Sequence, residues 1–566
     1  MRLPSWSAWS IVFGLIASAA FAGTADLCAK EKAKKKPVAS AVSKPIPAPV
    51  WPDAKRQDPA AIAAAIDRHI DARLTKEKIP ASPLADDAEF LRRLCLDLTG
   101  RIPTAEKTSA FLDSRDPKRR AKLIDEVLAS KEYAQHFGNV WYDLLVPRTP
   151  IFGRINTQAM KNAFVECFDQ NFPWSDTVAR MIRCQDKDPS KNFLAFYEIN
   201  GDMGGTPMAN VVARTFTRRF MGLRMECAEC HDDPFKPWKQ REYWGITAYF
   251  GRVKRSKGNP LIEETTGYKP PKGNNFRLTV TGDGSLVVHE EARDEVGKPM
   301  KPRVLGGEDQ VFQDKQPMLA DFIHWVTAPN NKYLGPAAVN RFWHHLFARG
   351  PVEPVDDFHA DNPPTHPEVL ALLTEEFTRS RHDVKHLLRC ICNSKTYQRT
   401  SRPIPGNDKL DNLLFSRMAV KPMTAEMLHD SLCLAHANPN LFPIEQPKNN
   451  KKLPTVMIRS QFLQLFRTND PDGDSTEYTA GIPQMLILLN SPVFNANSPR
   501  VAKLIKAGVP PEQAIKKLYL ATLSRRPTPT ELQRKLDLVR RHTSVREGLD
   551  GVLWSLVGQA EFILNR

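Results

Sequence analysis

Residues 58–74 read DPAAIAAAIDRHIDARL, and this stretch indicates how the chain folds. Its large apolar residues recur at four-residue steps, at Ile62, Ile66, Ile70 and Leu74. Residues four apart lie on the same face of an α-helix, so the spacing predicts a helix with one buried side. Residues 90–100 repeat the pattern with Phe90, Leu91, Leu94 and Leu98 before Gly100 ends it. Because similar spacing continues, we predict a helical domain over residues 58–253.

The composition changes after this domain. Residues 254–310 are rich in Pro, Gly and Asn, and the short β-prone runs 276–280 and 286–288 flank Gly282-Asp283-Gly284. Two such runs around a Gly-Asp-Gly turn are typical of a β-hairpin. We therefore predict a β-containing connecting segment here.

Helical spacing returns from residue 311 and continues to residue 566. Two capping boxes, Thr365–Glu368 and Thr528–Glu531, mark helix starts in this region. The predicted fold class is mainly α, with two helical domains joined by a small β-hairpin-containing segment.

The N-terminus resembles an export signal. Arg2 precedes an apolar run from Ala8 to Phe21, and small residues stand at positions 20 and 22. We predict a signal peptide over residues 1–22, with an uncleaved anchor as the alternative, and a disordered Lys/Ala/Pro linker over residues 23–57. The protein is then expected to be exported, periplasmic or at the cell surface, with no integral membrane span after signal cleavage.

The charge balance indicates which partners suit the chain. Eighty Lys and Arg against 64 Asp and Glu give a formal charge of +16. This balance favours acidic partners such as an acidic polysaccharide. No base-stacking or helix-turn-helix signature accompanies it, so we expect no nucleic-acid partner.

Cys227-Ala-Glu-Cys230-His231 has the spacing that covalent haem attachment requires. Two thiols three residues apart can each bind a haem vinyl group, and the adjacent imidazole can bind the iron. The motif predicts haem c, one at most, with Cys227 and Cys230 as its attachment residues and His231 as the ligand of the iron. The residues alone leave two alternatives: zinc bound by these three with Asp232 or Asp233, and a local disulfide beside a structural histidine.

The surroundings of the motif suggest further contacts. A helix predicted over Val211–Met225 delivers it, and aromatic residues that follow are candidates for an apolar haem wall or for ordinary core packing: Phe235, Trp238, Tyr243, Trp244, Tyr249 and Phe250. The sixth haem position is open, and the nearest methionines in sequence are Met203, Met208, Met221 and Met225. Three basic residues are candidates for ion pairs with the haem propionates: Lys236, Lys239 and Arg241. The alternative is that they form a solvated basic rim.

A second cluster of chemically active residues lies in the C-terminal region. His344, Asp356, Asp357 and His359 are weak candidates for metal binding or acid-base catalysis. Adjacent His344 and His345 project about 100° apart on a helix, which disfavours a shared ion. The two aspartates are equally typical of a helix cap.

Several strings resemble a known family. They include Leu96-Asp-Leu-Thr-Gly-Arg-Ile-Pro103, the motif region to Phe235 with Trp238, Pro354-Val-Asp-Asp-Phe358, Asn362-Pro-Pro-Thr-His-Pro367 and Arg525-Arg526-Pro527. These are similar to planctomycete-type proteins of unknown function with an N-terminal cytochrome-c-associated domain and a C-terminal planctomycete-specific domain. The resemblance covers nearly all of residues 60–560.

The resemblance implies an exported protein of bacteria rich in sulfatases and polysaccharide metabolism, often fused to a separate cytochrome c module. It supplies no established reaction. The family usually has a second histidine where this chain has Asp233, and the separate module is absent here. His231 is thus the expected axial ligand.

Together these features predict an exported haem-c-binding protein with a role in redox chemistry or electron transfer linked to polysaccharide metabolism. Its partners would be a redox protein or an acidic polysaccharide. One alternative is a metal-dependent hydrolase centred on the C-terminal His/Asp cluster. Another is a non-catalytic surface scaffold with a structural cysteine motif. The sequence leaves open whether the protein is an enzyme.

Overall fold

Helices make up most of the chain. The computed structural model describes residues 44–53, 55–146, 155–183, 188, 190–201, 208–256, 259–263, 278–280, 284–288, 298–313, 316–408, 414–442, 458–466 and 498–566. The predicted signal peptide and most of the predicted linker lie outside these residues. The helices, α1 to α22 in chain order, are Pro59–Lys76, Asp87–Thr99, Ala105–Asp113, Arg119–Leu128, Lys131–Leu145, Thr157–Asp169, Trp174–Arg183, Leu194–Ile199, Ala209–Phe220, Gln240–Phe250, Leu319–Val326, Leu334–Phe347, Pro367–Arg379, Val384–Cys392, Lys395–Gln398, Ala425–His436, Arg459–Phe466, Pro499–Lys506, Pro511–Thr522, Pro529–Arg541, Val545–Val557 and Ala560–Ile563.

The strands are short and antiparallel. In chain order, β1 to β7 are Val253–Ser256, Asn259–Glu263, Leu278–Val280, Leu286–Val288, Pro299–Met300, Lys421–Pro422 and Leu564–Asn565. β1 pairs with β2, β3–β4–β5 form a three-stranded sheet, and β6 pairs with β7. Leu278 lies opposite Val288, so the predicted hairpin strands are present in the connecting segment. The predicted fold class, mainly α with a small β segment, is confirmed.

The first two predicted helices form as the apolar spacing indicates. In α1 the four residues from Ile62 to Leu74 that repeat at four-residue steps are all buried. In α2 Asp86 accepts a hydrogen bond from the Glu89 N–H as the N-cap, and Gly100 ends the helix at a left-handed φ of +66°. A Cβ at Gly100 would lie 2.3 Å from His136 Nδ1, so close packing also requires glycine there.

Two local predictions need correction. The helix expected over Val211–Met225 is α9, which ends at Phe220, because Gly222 turns the chain with a φ of +69°. The capping box at Thr365–Glu368 does not form, because the Thr365 hydroxyl donates to the Pro351 carbonyl and His366 is the N-cap of α13. The capping box at Thr528–Glu531 is present.

The interior contains two hydrophobic clusters. The first extends in sequence from Ile62 to Met418 and includes residues on both sides of the connecting segment. The second gathers residues from Met423 to Ile563, together with Leu96 and Ile102. Since Leu94 and Leu98 belong to the first cluster and Leu96 to the second, α2 contributes to both.

The segment before α1 lies against the folded body. The Ile46 N–H donates to Asp321 Oδ2 at 3.1 Å, and the Gln57 N–H donates to Glu376 Oε1 at 2.8 Å. Trp51 meets the His382 ring edge-on, with centroids 4.9 Å apart. Residues 44–53 and 55–57 of the predicted linker thus make hydrogen bonds and an aromatic contact with the folded body. Among the described helices, none combines the length and apolar character needed to cross a membrane.

Acid is expected to loosen the C-terminal helices. Arg525 binds Glu531 of α20 and Glu561 of α22, each at 2.7 Å, and its hydrogen bond lowers the pKa of Glu531 from 4.5 to about 2. Because the folded pKa is depressed, this stabilisation is complete above pH 4.5 and is lost as the pH falls to about 2. The difference in unfolding free energy between wild type and Glu531→Gln should shrink over that range in urea titrations. A constant difference across the range would contradict the prediction.

Candidate functional site

The Cys-x-x-Cys-His motif lies on a tight turn after α9. The 3₁₀ helix Glu226–Glu229 carries its first part. The backbone N–H groups of Cys230 and His231 both donate to the Cys227 carbonyl, at 3.2 and 3.3 Å. These two bonds close the turn, so the cysteines and the histidine are held together by local backbone structure.

The side chains of the motif divide into an outer and an inner set. Cys227, Cys230 and His231 are exposed, whereas Ala228 and Glu229 are buried. Both thiols are free, so the local disulfide considered from the sequence is not formed in the structure. The three residues predicted to bind haem therefore share one solvent-facing turn.

Glu229 anchors this turn to the interior. Its carboxylate accepts hydrogen bonds from Asn210 Nδ2 at 3.0 Å and from the Tyr243 hydroxyl at 2.9 Å. Trp244 Nε1 donates to the Glu229 carbonyl at 3.1 Å. A buried carboxylate is stable when such donors surround it. Because these donors lie on α9 and α10, the turn is fixed from behind while its outer face stays open.

The imidazole of His231 is oriented by the backbone. Its Nδ1 lies 2.7 Å from the Asp232 carbonyl oxygen. A carbonyl oxygen accepts and does not donate, so Nδ1 carries the proton in this contact. In the neutral ring, Nε2 then keeps its lone pair, which is the arrangement found in metal-binding histidines.

Asp232 and Asp233 shape the chain after the motif. Asp233 Oδ1 accepts from the N–H groups of Phe235 and Lys236, at 2.9 and 3.1 Å. Asp232 accepts from the Gln240 N–H at 2.8 Å, and this bond, with Lys239, lowers the pKa of Asp232. Within the described ranges no group of three or more His, Cys, Asp or Glu residues is arranged to hold a metal ion.

The aromatic residues after the motif are mostly core residues. Five are buried: Trp238, Tyr243, Trp244, Tyr249 and Phe250. Phe235 is 82% exposed. Met221 and Met225 are buried as well, Met208 is half-buried, and Met203 lies outside the described residues. Of the predicted wall, Phe235 alone is open to solvent.

The three basic residues predicted near haem propionates each contact a carboxylate. Lys236 Nζ lies 2.5 Å from Asp357 Oδ1, Lys239 Nζ lies 3.2 Å from Asp232 Oδ2, and Arg241 Nη2 lies 2.8 Å from an oxygen of Asp309. Lys239 and Arg241 are exposed, which is typical of a solvated basic rim.

The C-terminal candidates do not form one centre. His344 Nδ1 lies 3.3 Å from Glu353 Oε2. His359 Nε2 lies 3.7 Å from Asp357 Oδ2, and Asp357 also binds Lys236 near the cysteine motif. The structure therefore joins Asp357 and His359 to the motif region and gives His344 a different carboxylate partner.

Asp356 is a buried carboxylate surrounded by partly exposed arginines. Its Oδ2 accepts from Arg218 Nε at 2.8 Å and its Oδ1 accepts from Arg224 Nε at 2.7 Å, while Arg219 Nη1 lies 3.7 Å away. Burial alone would raise the pKa of Asp356, but Arg218, with Arg224 and Arg341, lowers it. The sequence pattern predicts a metal ligand or a helix cap at Asp356 and does not predict this role, although the arginines at positions 218, 219 and 224 are a signal of it.

A cysteine, a histidine and a glutamate also meet in the interior. Cys390 Sγ lies 3.7 Å from His386 Nε2, and the same nitrogen lies 2.8 Å from Glu376 Oε1. A nucleophile relay needs the base to contact its two partners through different ring nitrogens. Burial also raises the pKa of Cys390 to about 12. We therefore interpret this cluster as structural.

Two family models match the chain. PSCyt2, a protein of unknown function (DUF1549), matches residues 65–255, and PSD1, a protein of unknown function (DUF1553), matches residues 320–539. The first match contains the cysteine motif, and the second contains the loop with Asp356 and Asp357. No curated protein and no solved structure matches the chain.

Proposed function

We propose that this chain binds haem c. The premise is that it belongs to the planctomycete-type family that carries these two domains of unknown function, in N-terminal then C-terminal order. The proposal is an exported haem-c-binding protein with a role in redox chemistry or electron transfer. Its partner would be a redox protein or an acidic polysaccharide, in keeping with a formal charge of +16.

One observation carries this proposal. The Cys227 and Cys230 thiols and the His231 imidazole are exposed on one turn, both thiols are free, and the His231 Nδ1 contact leaves Nε2 for a metal. Covalent attachment needs accessible thiols, and axial ligation needs an imidazole with a free lone pair. The residues present therefore fit haem c, which when bound would supply one-electron chemistry.

Neighbouring residues have supporting roles. Glu229 fixes the inner side of the turn through Asn210 and Tyr243. The Asp232 carbonyl sets the proton on His231 Nδ1. Because the outer side of the turn is exposed, a redox partner could approach it without rearrangement of the buried side.

The test is to express the full chain in a host that exports proteins and matures c-type cytochromes. We expect a band at the mass of the processed protein to retain haem stain after denaturing electrophoresis, and a reduced pyridine haemochrome spectrum of the c type. The double variant Cys227→Ser/Cys230→Ser should lose both signals completely. Cys433→Ser, which removes a half-buried cysteine in another region, should keep both.

The measured mass discriminates further. Wild-type protein should gain the mass of one haem, in agreement with the single Cys-x-x-Cys-His motif. Wild-type protein at the bare polypeptide mass, without stain, would overturn the proposal.

A further inference from the structure

Phe235 differs from every other aromatic residue near the motif. Large exposed apolar side chains in the described part of the chain are Val50, Leu84, Phe235, Val420, Leu465, Ile505 and Val545. Phe235 is the aromatic member of this set and is 82% exposed. It lies four residues after His231 and five after Cys230. A phenyl ring in water leaves a large apolar area exposed, and covering that area with an apolar group would be favourable.

The turn that carries Phe235 is fixed by short-range contacts. Asp233 Oδ1 accepts the Phe235 N–H at 2.9 Å, and the Asp233 N–H donates to the Trp238 carbonyl at 2.9 Å. Pro234 and Pro237 restrict φ on both sides of this residue. Asp233 and Trp238 are buried, so the turn is attached to the core while the phenyl ring is held outward.

We propose that Phe235 packs against the macrocycle of the haem attached at Cys227 and Cys230. This inference rests on the proposed function and names a further binding residue at the same site. The inference depends on the position of Phe235 directly after the exposed motif. One turn supplies the attachment thiols and the imidazole, and the next turn supplies an uncovered aromatic ring. An apolar macrocycle is the occupant that these two features fit together.

The proposal predicts coupling between Phe235 and the haem. Because the ring is exposed without haem, Phe235→Ser should leave the stability of the haem-free protein nearly unchanged. In the haem-loaded protein the same substitution should raise the equilibrium constant for unfolding about tenfold, because it removes the apolar contact between the phenyl ring and the haem. Phe235→Leu, which keeps part of the apolar contact, should give an intermediate effect.

The experiment is a double-mutant cycle in urea. Full-length wild type and Phe235→Ser are each prepared with haem and, on the Cys227→Ser/Cys230→Ser background, without it. Val545→Ser, which removes an exposed apolar side chain elsewhere, is the matched control and should show no coupling. The midpoint reduction potential of haem-loaded Phe235→Ser should also shift to a more negative value, because more water reaches the group.

The outcomes separate this inference from the proposed function. Absence of haem from the wild type overturns the proposed function and this inference with it. Haem present with no coupling at Phe235 overturns this inference alone. Equal destabilisation with and without haem also overturns it, because the ring would then act in folding.

Discussion

Replacing Asp97 by alanine is expected to lower the free energy of unfolding by about 3–5 kcal/mol, because it breaks a buried ion pair by removing one partner. Asp97 is buried, and its Oδ1 accepts from Lys421 Nζ at 2.6 Å and from Asn565 Nδ2 at 2.7 Å. Its Oδ2 accepts from the Tyr397 hydroxyl at 2.8 Å. The alanine variant leaves an ammonium, an amide and a phenol without this acceptor. Urea unfolding followed by far-ultraviolet circular dichroism measures the loss.

Two further variants make the result specific. Asp113→Ala removes an exposed carboxylate that pairs with Arg526, and should cause no measurable loss. In Asp97→Asn/Lys421→Met both charges are absent, so the double variant should be more stable than Asp97→Ala. Equal midpoints for Asp97→Ala and Asp113→Ala would show that the buried pair contributes nothing.

The position of Asp97 shows what the sequence reveals of this fold. Leu94 and Leu98 predict α2 correctly, because a helical stripe depends on neighbours three and four residues away. The partners of Asp97 are 300 to 468 residues distant, at Tyr397, Lys421 and Asn565. No local pattern encodes such pairing, so the burial of this polar residue could not be predicted from the sequence.

The same distinction applies to the candidate site. The spacing of Cys227, Cys230 and His231 is local, and their grouping on one turn agrees with it. The burial of Glu229 behind this turn depends on its contacts with Asn210 and Tyr243. These two residues become neighbours only when α9 packs on α10. The exposed state of Phe235 was equally unpredictable, because its aromatic neighbours in sequence are buried.

The link between the two family domains near the motif depends on Asp356. Asp356→Ala is expected to lower the free energy of unfolding by about 2–3 kcal/mol, because it removes a buried carboxylate that accepts hydrogen bonds from two partly exposed arginines, Arg218 and Arg224. The pKa of Asp356 is lowered in the folded state, so its stabilisation is present above its ordinary pKa of 3.8 and is lost as the pH falls below that value. Urea unfolding at pH 7 and at pH 3 should therefore show a smaller difference from wild type in acid.

Hydrogen exchange tests whether the loss of stability is local to the loop that contains Asp356 and Asp357. The Phe358 N–H donates to the Gly222 carbonyl at 2.9 Å, beside the Asp356 cluster, so its exchange should accelerate most in Asp356→Ala. Asp361→Ala removes an exposed acid from the same loop and should leave both stability and this amide unchanged. If Asp356→Ala and Asp361→Ala behaved alike, the carboxylate would not be what holds the C-terminal domain against the turn that follows α9.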